Sequence, residues 1–185
     1  MSQKTLTELS KFLSYVLRHR PDAIHLSMEK QGWVGVQELI RNAQEAGKPL
    51  TLDLLKTIVA NDDKQRYALN PDGTKIRANQ GHSIEIDLNL QSLTPPRWLY
   101  HGTAERNLAS IYKSGLQKQQ RHHVHLSQDA QMAKRVGARY GKPVILRILA
   151  QAMVEQGFVF YCSDNQVWLT DHVPSKFIEF PETVN

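Results

Sequence analysis

Lys64 to Ser83 reads K-Q-R-Y-A-L-N-P-D-G-T-K-I-R-A-N-Q-G-H-S. The stretch has the pattern of a β-hairpin. Asn70-Pro71-Asp72-Gly73 combines a proline that presets φ, a carboxylate that takes backbone hydrogens and a glycine suited to a left-handed position. Gln65 to Asn70 alternates, with Tyr67 and Leu69 on one face and Arg66 and Ala68 on the other. Matching the apolar faces around a tight turn sets Tyr67 opposite Ile76 and Arg66 opposite Arg77. Two facing arginines repel unless an anion lies beside them. The run that follows, Ala-Asn-Gln-Gly-His-Ser, is small or polar, and its glycine permits close backbone approach to a ligand.

Upstream, Thr5-Leu-Thr-Glu8 has the form of a capping box, followed by Leu6, Leu9, Phe12, Leu13, Val16 and Leu17 at helical spacing. Pro21 stops that helix just after Arg18-His19-Arg20. Trp33 to Val36 reads as a short strand running into a helix that ends at Gly47, and a third helix starts after Thr51. Helix, strand, helix, helix, hairpin is the element order of a winged helix, often used against nucleic acid. Order alone does not establish that use.

Pro95-Pro96 within residues 91–97 marks an extended linker, so the expected domains are 1–90 and 98–185. The second part is β-rich. Strands are expected at Trp98-Leu99-Tyr100, His123 to Ser127, Pro143 to Ile148, Phe158 to Tyr161, Val167 to Leu169 and Phe177 to Phe180. Helices are expected from Ala104 to Lys113, stopped by Gly115, and from Asp129 to Arg139. The fold class is therefore α+β in two lobes.

The composition bounds the function. The chain has 185 residues and a net charge of +5, enough for a real core and with no polybasic tail. Residues 1–90 hold 12 Lys/Arg against 11 Asp/Glu, and residues 91–185 hold 11 against 7. An anion would thus be held by particular arginines rather than by a diffuse field. Cys162 is the single cysteine, which excludes an internal disulfide and a cysteine-rich zinc site. No apolar run is long enough for a membrane span and no signal-peptide core opens the chain, so a cytoplasmic protein with no membrane partner is expected. No Gly-rich phosphate loop, serine elbow or carboxylate cluster is present.

Arginine and histidine next to turns are what the chain offers. On a strand, Arg121, His123, His125 and Ser127 share one face. A zinc site from His101, His123 and His125 lacks the carboxylate or cysteine that would complete and orient it. An anion or nucleotide site fits better, because this face and His101-Gly102-Thr103 supply donors without metal-fixing acceptors.

Leu17-Arg18-His19, Lys64 to Tyr67, Ile76 to Ser83, His101-Gly-Thr103, Arg121-x-x-Val-His125-Leu-Ser127 and Ser163-x-Asn165-x-Val-x-Leu-Thr170 together resemble the NAD-dependent RNA 2′-phosphotransferase family. The match runs in order from about Ser10 to Phe180, and I-R-A-N-Q-G-H-S is its most specific element. The resemblance implies a winged-helix RNA lobe and an ADP-ribosyltransferase-like NAD lobe. It implies a catalytic set Arg18, His19, Arg66 and Arg121, with NAD consumed as co-substrate and no metal. NAD contacts are expected from His101, Gly102, Thr103, Gly115, His125, Ser127 and Asn165, and RNA contacts from Lys64, Arg77, Asn79, Gln80 and His82. The implied partner is an RNA carrying a 2′-phosphate, bound by a monomer. His19 would either protonate the departing RNA oxygen or stabilise charge on phosphorus. The rival readings are an ADP-ribosyltransferase acting on nucleic-acid ends or protein, and a winged-helix binding protein without turnover.

Overall fold

A computed structural model describes residues 3–181. The architecture is α+β, and the chain divides into two compact units, one up to Asn89 and one from Leu90.

The first unit contains α1 (Gln3–Arg18), β1 (Val34–Gly35), α2 (Val36–Glu45), α3 (Leu52–Ala60), β2 (Tyr67–Leu69) and β3 (Lys75–Ala78). Its strands form one antiparallel sheet in the order β1-β3-β2. The apolar stripe of α1 is what packs it: Leu13, Val16 and Leu17 are fully buried and join Leu39, Leu55 and Ile76 in one core. Burying each such side chain contributes roughly 1.5–3 kcal/mol. Thr51 caps α3 by accepting the Leu54 N–H at 3.3 Å. Gly47, at φ 72°, turns the chain after α2 as its position predicted.

Two expectations for this unit need correction. Thr5, expected as an N-cap, is already inside α1, because Gln3 and Lys4 are good helix formers and nothing before Thr5 interrupts them. The hairpin register also differs. Tyr67 pairs with Ala78, Ala68 with Arg77 and Leu69 with Ile76, so Arg66 and Arg77 do not face each other. The cause is a longer turn. The Asn70 N–H bonds to the Lys75 carbonyl at 3.0 Å, leaving four residues in the loop rather than two. Asp72 stabilises that loop by accepting the Thr74 N–H (3.0 Å) and hydroxyl (2.6 Å), and the Asn70 side chain accepts the Lys75 N–H at 2.7 Å.

The second unit contains β4 (Leu99–Ala104), α4 (Leu108–Ser114), β5 (Leu116–Gln117), β6 (Val124–Leu126), α5 (Ala130–Gly137), β7 (Pro143–Ile148), α6 (Ala150–Glu155), β8 (Phe160–Cys162), β9 (Trp168–Thr170), β10 (His172–Val173) and β11 (Ile178–Glu179). Two three-stranded antiparallel sheets, β11-β7-β4 and β6-β9-β8, and the pair β10-β5 carry it. Tyr100 on β4 exchanges both backbone hydrogen bonds with Ser127 just after β6, at 2.8 and 2.9 Å, which ties the two larger sheets together. Leu99, Leu146, Ile148, Met153 and Phe160 are fully buried in the core they enclose. The proline connector lies along β8: the Leu93 N–H bonds to the Phe160 carbonyl at 2.9 Å.

Strand β4 runs further than Trp98 to Tyr100 and carries His101-Gly102-Thr103 inside it. Helix α6 and strands β5 and β10 are additions to the expected set; they are six and two residues long, too short for periodicity to reveal. The segment expected as one helix from Ala104 opens instead with a 3-10 turn over Glu105–Asn107. Among the described residues no helix is long and apolar enough to cross a membrane.

Candidate active site

In the first unit, the run Ala78 to Ser83 holds two of the predicted segments. Ser83 donates its N–H to the Arg18 carbonyl at 3.0 Å, and its Oγ lies 2.9 Å from the His19 Nδ1. The end of α1 is thereby fixed in direction, and the Arg18 Nε and Nη2 lie out of solvent contact. Ser83 was read only as part of a motif. In the structure its hydroxyl meets the His19 ring.

At the other end of the same run, the Asn79 N–H bonds to the Arg66 carbonyl at 2.8 Å, and its Nδ2 bonds to the Gln65 carbonyl at 2.6 Å. The Lys64–Arg66 loop is thus clasped from one side, with Gln65 at φ 43°. From the other side Asp62 accepts the Arg66 N–H at 2.6 Å and forms an ion pair with its guanidinium. Asp62 was missed by the sequence reading. Its signal is an aspartate four positions before the candidate arginine, outside any helix.

Of the predicted RNA contacts, Arg77 lies flat over the Trp33 ring, 4.6 Å from its centroid. Asn79 and His82 are buried, at 6% and 2% exposure. The Asn79 Oδ1 and Gln80 Oε1 are buried acceptors without a partner among the described residues. Buried acceptors left open in a folded chain call for an explanation, and a bound ligand is one. Lys64 takes part through its backbone, donating its N–H to Asp62 at 3.3 Å.

In the second unit, Arg121, His125 and His101 form one network. Arg121 Nη1 donates to His125 Nδ1 at 2.6 Å, and His101 Nδ1 lies 3.1 Å from the His125 carbonyl oxygen. An arginine has only donors, so His125 Nδ1 is the acceptor and that ring is neutral. The His101 Nδ1 faces a carbonyl and so carries the hydrogen. Partial burial, then the Arg121 charge, hold the His101 pKa below its ordinary value. Burial also lowers that of His123, assisted by the neighbouring His122. Thr103 is buried on β4, and its hydroxyl accepts from Asn107 Nδ2 at 3.1 Å. The Ser127 Oγ closes a turn with Asp129, accepting its N–H at 3.1 Å.

The other predicted NAD contacts lie elsewhere in this unit. Gly102 is where α5 crosses β4, with a β-carbon position inside the Ala133 carbonyl group. Gly115 ends α4 at φ 70° against the Val173 carbonyl. Both glycines are accounted for by close backbone contact. Asn165 accepts the Ser163 hydroxyl at 2.7 Å in the β8–β9 turn. The pairing of Leu126 with Trp168 and of Trp168 with Cys162 puts that turn at the Ser127 end of its sheet. Among the described residues no group of three or more His, Cys, Asp or Glu is placed to share a metal ion.

The histidines predict an acid-labile unit. With folded pKa values below the ordinary 6.5, the unfolded chain binds more protons as pH falls through that value, so stability is lost on acidification. The melting temperature is expected to fall between about pH 7.5 and about pH 5.5, and His101→Gln is expected to flatten part of that slope. An unchanged slope in His101→Gln, followed by circular dichroism, would remove His101 as a cause.

Guanidinium groups, neutral imidazoles and buried hydroxyls make a donor set suited to phosphate-bearing substrates. Comparison with known proteins gives the class. A sequence model described as "RNA 2'-phosphotransferase, Tpt1 / KptA family" matches residues 4–172. A relative from Burkholderia pseudomallei is 53% identical over 175 residues, 95% of this chain and 95% of its own. One from Nostoc punctiforme is 49% identical over 179 residues, covering 97% and 99%, and one from Escherichia coli O45:K1 is 49% identical over 181, covering 97% and 93%. All three carry the name "Probable RNA 2'-phosphotransferase". These are transferases. The chain belongs to the RNA 2′-phosphotransferase (Tpt1 / KptA) family.

Proposed function

We propose that the chain removes an internal 2′-phosphate from RNA by transferring it to NAD. In the first step a phosphate oxygen attacks the anomeric carbon of the nicotinamide ribose. The glycosidic bond breaks, and nicotinamide departs with that bond's electrons, neutral because its ring nitrogen was cationic. In the second step the ribose 2″-hydroxyl attacks the same phosphorus and the bond to the RNA 2′-oxygen breaks. That oxygen takes up a proton, leaving 2′-hydroxyl RNA and ADP-ribose 1″,2″-cyclic phosphate.

Neither step needs a strong acid on the nicotinamide. What both need is a dianionic phosphate held in line and relieved of charge. Arg18, Arg66 and Arg121 supply planar donors that stay protonated, and His19 supplies a donor at the phosphoryl group. Arg77, with Lys64, Asn79, Gln80 and His82, takes the RNA strand. NAD is taken by His101, Thr103, His125 and Ser127, with Gly102, Gly115 and Asn165 shaping the backbone around them. The depressed basicity of His101 suits this assignment, since a neutral imidazole does not repel a cationic nicotinamide.

The reading includes a winged-helix RNA lobe over 1–90, a linker over 91–97 and an ADP-ribosyltransferase-like NAD lobe over 98–185, acting as a cytoplasmic monomer. It is supported by the helix, strand, helix, helix, hairpin order of the first unit and by the antiparallel sheets of the second. The observation that carries the reading is the pairing of Arg121 with the His125 ring and of the His125 carbonyl with His101, in a chain of this family.

The test is incubation with NAD and a 2′-phosphorylated oligoribonucleotide, with products identified. Nicotinamide release equal to phosphate loss, with the cyclic phosphate as product, is expected. Stable ADP-ribosylated RNA without cyclic phosphate would replace this reading with ADP-ribosyl transfer, and no nicotinamide at all would leave a binding protein.

A further inference from the structure

Asp62 stands out as a buried charge that the proposed chemistry does not use. Its side chain is 5% exposed, against 29% for Arg66. Its carboxylate is fully engaged: Oδ1 accepts from the Arg66 Nη1 and from the Lys64 N–H at 3.3 Å, while Oδ2 accepts the Arg66 N–H at 2.6 Å. The Gln65 N–H bonds to the Asp62 carbonyl at 2.7 Å and completes a tight loop. One carboxylate thus grips both the backbone and the head group of the same arginine.

The head group is held by one nitrogen only. Among the described residues the Nε and Nη2 of Arg66 have no protein acceptor. In a planar guanidinium, Nε and Nη2 form the side-on edge that matches two oxygens of a phosphate. We propose that Asp62 is the positioning residue of Arg66, fixing the guanidinium through Nη1 so that its Nε–Nη2 edge receives the transferring phosphoryl group. A carboxylate this deeply buried stays paired when phosphate arrives, because an unpaired buried charge is strongly unfavourable. The two anions therefore use different nitrogens of one fork and do not compete. The inference rests on the assignment of Arg66 made above.

A double-mutant cycle tests it. The quantity read is the affinity ratio of the wild type, Asp62→Asn, Arg66→Ala and the double variant for one oligoribonucleotide with a 2′-phosphate or a 2′-hydroxyl. Turnover of the single variants and the KM for NAD accompany it. Asp62→Asn keeps an acceptor for the backbone N–H groups but loses the charge that grips Nη1. It is expected to lower kcat and the affinity ratio by about tenfold, to leave the KM for NAD unchanged, and to have no further effect once Arg66 is alanine. An equal loss in both backgrounds, or wild-type behaviour of Asp62→Asn, overturns the proposal. Wild-type discrimination in Arg66→Ala overturns the Arg66 assignment instead, whatever Asp62 does. If Asp62→Asn does not fold, Asp62→Glu keeps the charge but displaces the carboxylate and is expected to show the same Arg66-dependent loss. If neither variant folds, Asp62 supplies loop architecture alone and the proposal falls.

Discussion

Arg121→Ala is expected to lower RNA 2′-dephosphorylation by about two to three orders of magnitude while the melting temperature stays within a degree or two of wild type. The two halves of that expectation have separate physical grounds. The side chain is exposed and its hydrogen bond goes to His125 Nδ1, so no core packing leaves with it. His125 itself sits on β6, held by backbone pairing to Leu169, and needs no help from Arg121 to stay there. The charge, by contrast, cannot be replaced locally. Lysine at 121 would offer a point charge rather than a planar fork, and Arg121→Lys should recover only a minor share of the rate. Arg66→Ala should cost a similar factor in turnover, but it also strands the buried Asp62 carboxylate, so part of its effect will appear as lost stability. Arg121 is therefore the cleaner probe. Steady-state turnover with a 2′-phosphorylated oligoribonucleotide, read beside a thermal melt, decides it. Wild-type turnover in Arg121→Ala would end its catalytic assignment.

The second large effect is structural. Gly102→Ala should strongly destabilise the second unit, because the new methyl group would land in the Ala133 carbonyl and about 3.0 Å from the Gly137 N. Both obstacles are backbone, so no side-chain rotation relieves them. Either α5 lifts from β4 or the strand distorts, and overpacking of this kind costs roughly 1–3 kcal/mol or more. The expected readout is insoluble protein or a melting temperature lowered by several degrees. A soluble Gly102→Ala protein with a wild-type melt would show that the crossing yields more easily than the geometry indicates. The result also bears on the His-Gly-Thr motif. Loss of activity in this variant would report on α5 packing, and only His101 and Thr103 variants speak to nucleotide contact.

Legibility in the sequence followed the length over which a physical signal accumulates. Helix α1 was legible because its apolar stripe, Leu6 to Leu17, spans about three turns, and α3 because Thr51 advertises its cap. The β3 strand was legible, but its partner register was not. Asn70 and Asp72 each use a side chain to extend the turn, and two added loop residues shift the register by two. The expected face-to-face arginines fell with that register: Arg66 pairs instead with a carboxylate four residues back, and Arg77 lies on Trp33, 44 positions upstream. The candidate site followed the same rule. The Arg121–His125 hydrogen bond joins residues four apart, within reach of a motif, whereas the His19 ring meets Ser83 from 64 positions away, a pairing that no local pattern carries. Asp62 carries no motif, and its importance comes from burial, which the sequence does not print.

The clasp between Asn79 and the carbonyls of Gln65 and Arg66 has a practical reach beyond catalysis. A designer wishing to graft the Arg66 turn onto another scaffold could not lift residues 62–66 alone, since half of what shapes them arrives from Asn79, just past the end of β3. The transferable cassette is Asp62 to Asn79 as a single insert, hairpin included. Chimeras cut inside it should lose the turn even when every residue of the turn is retained.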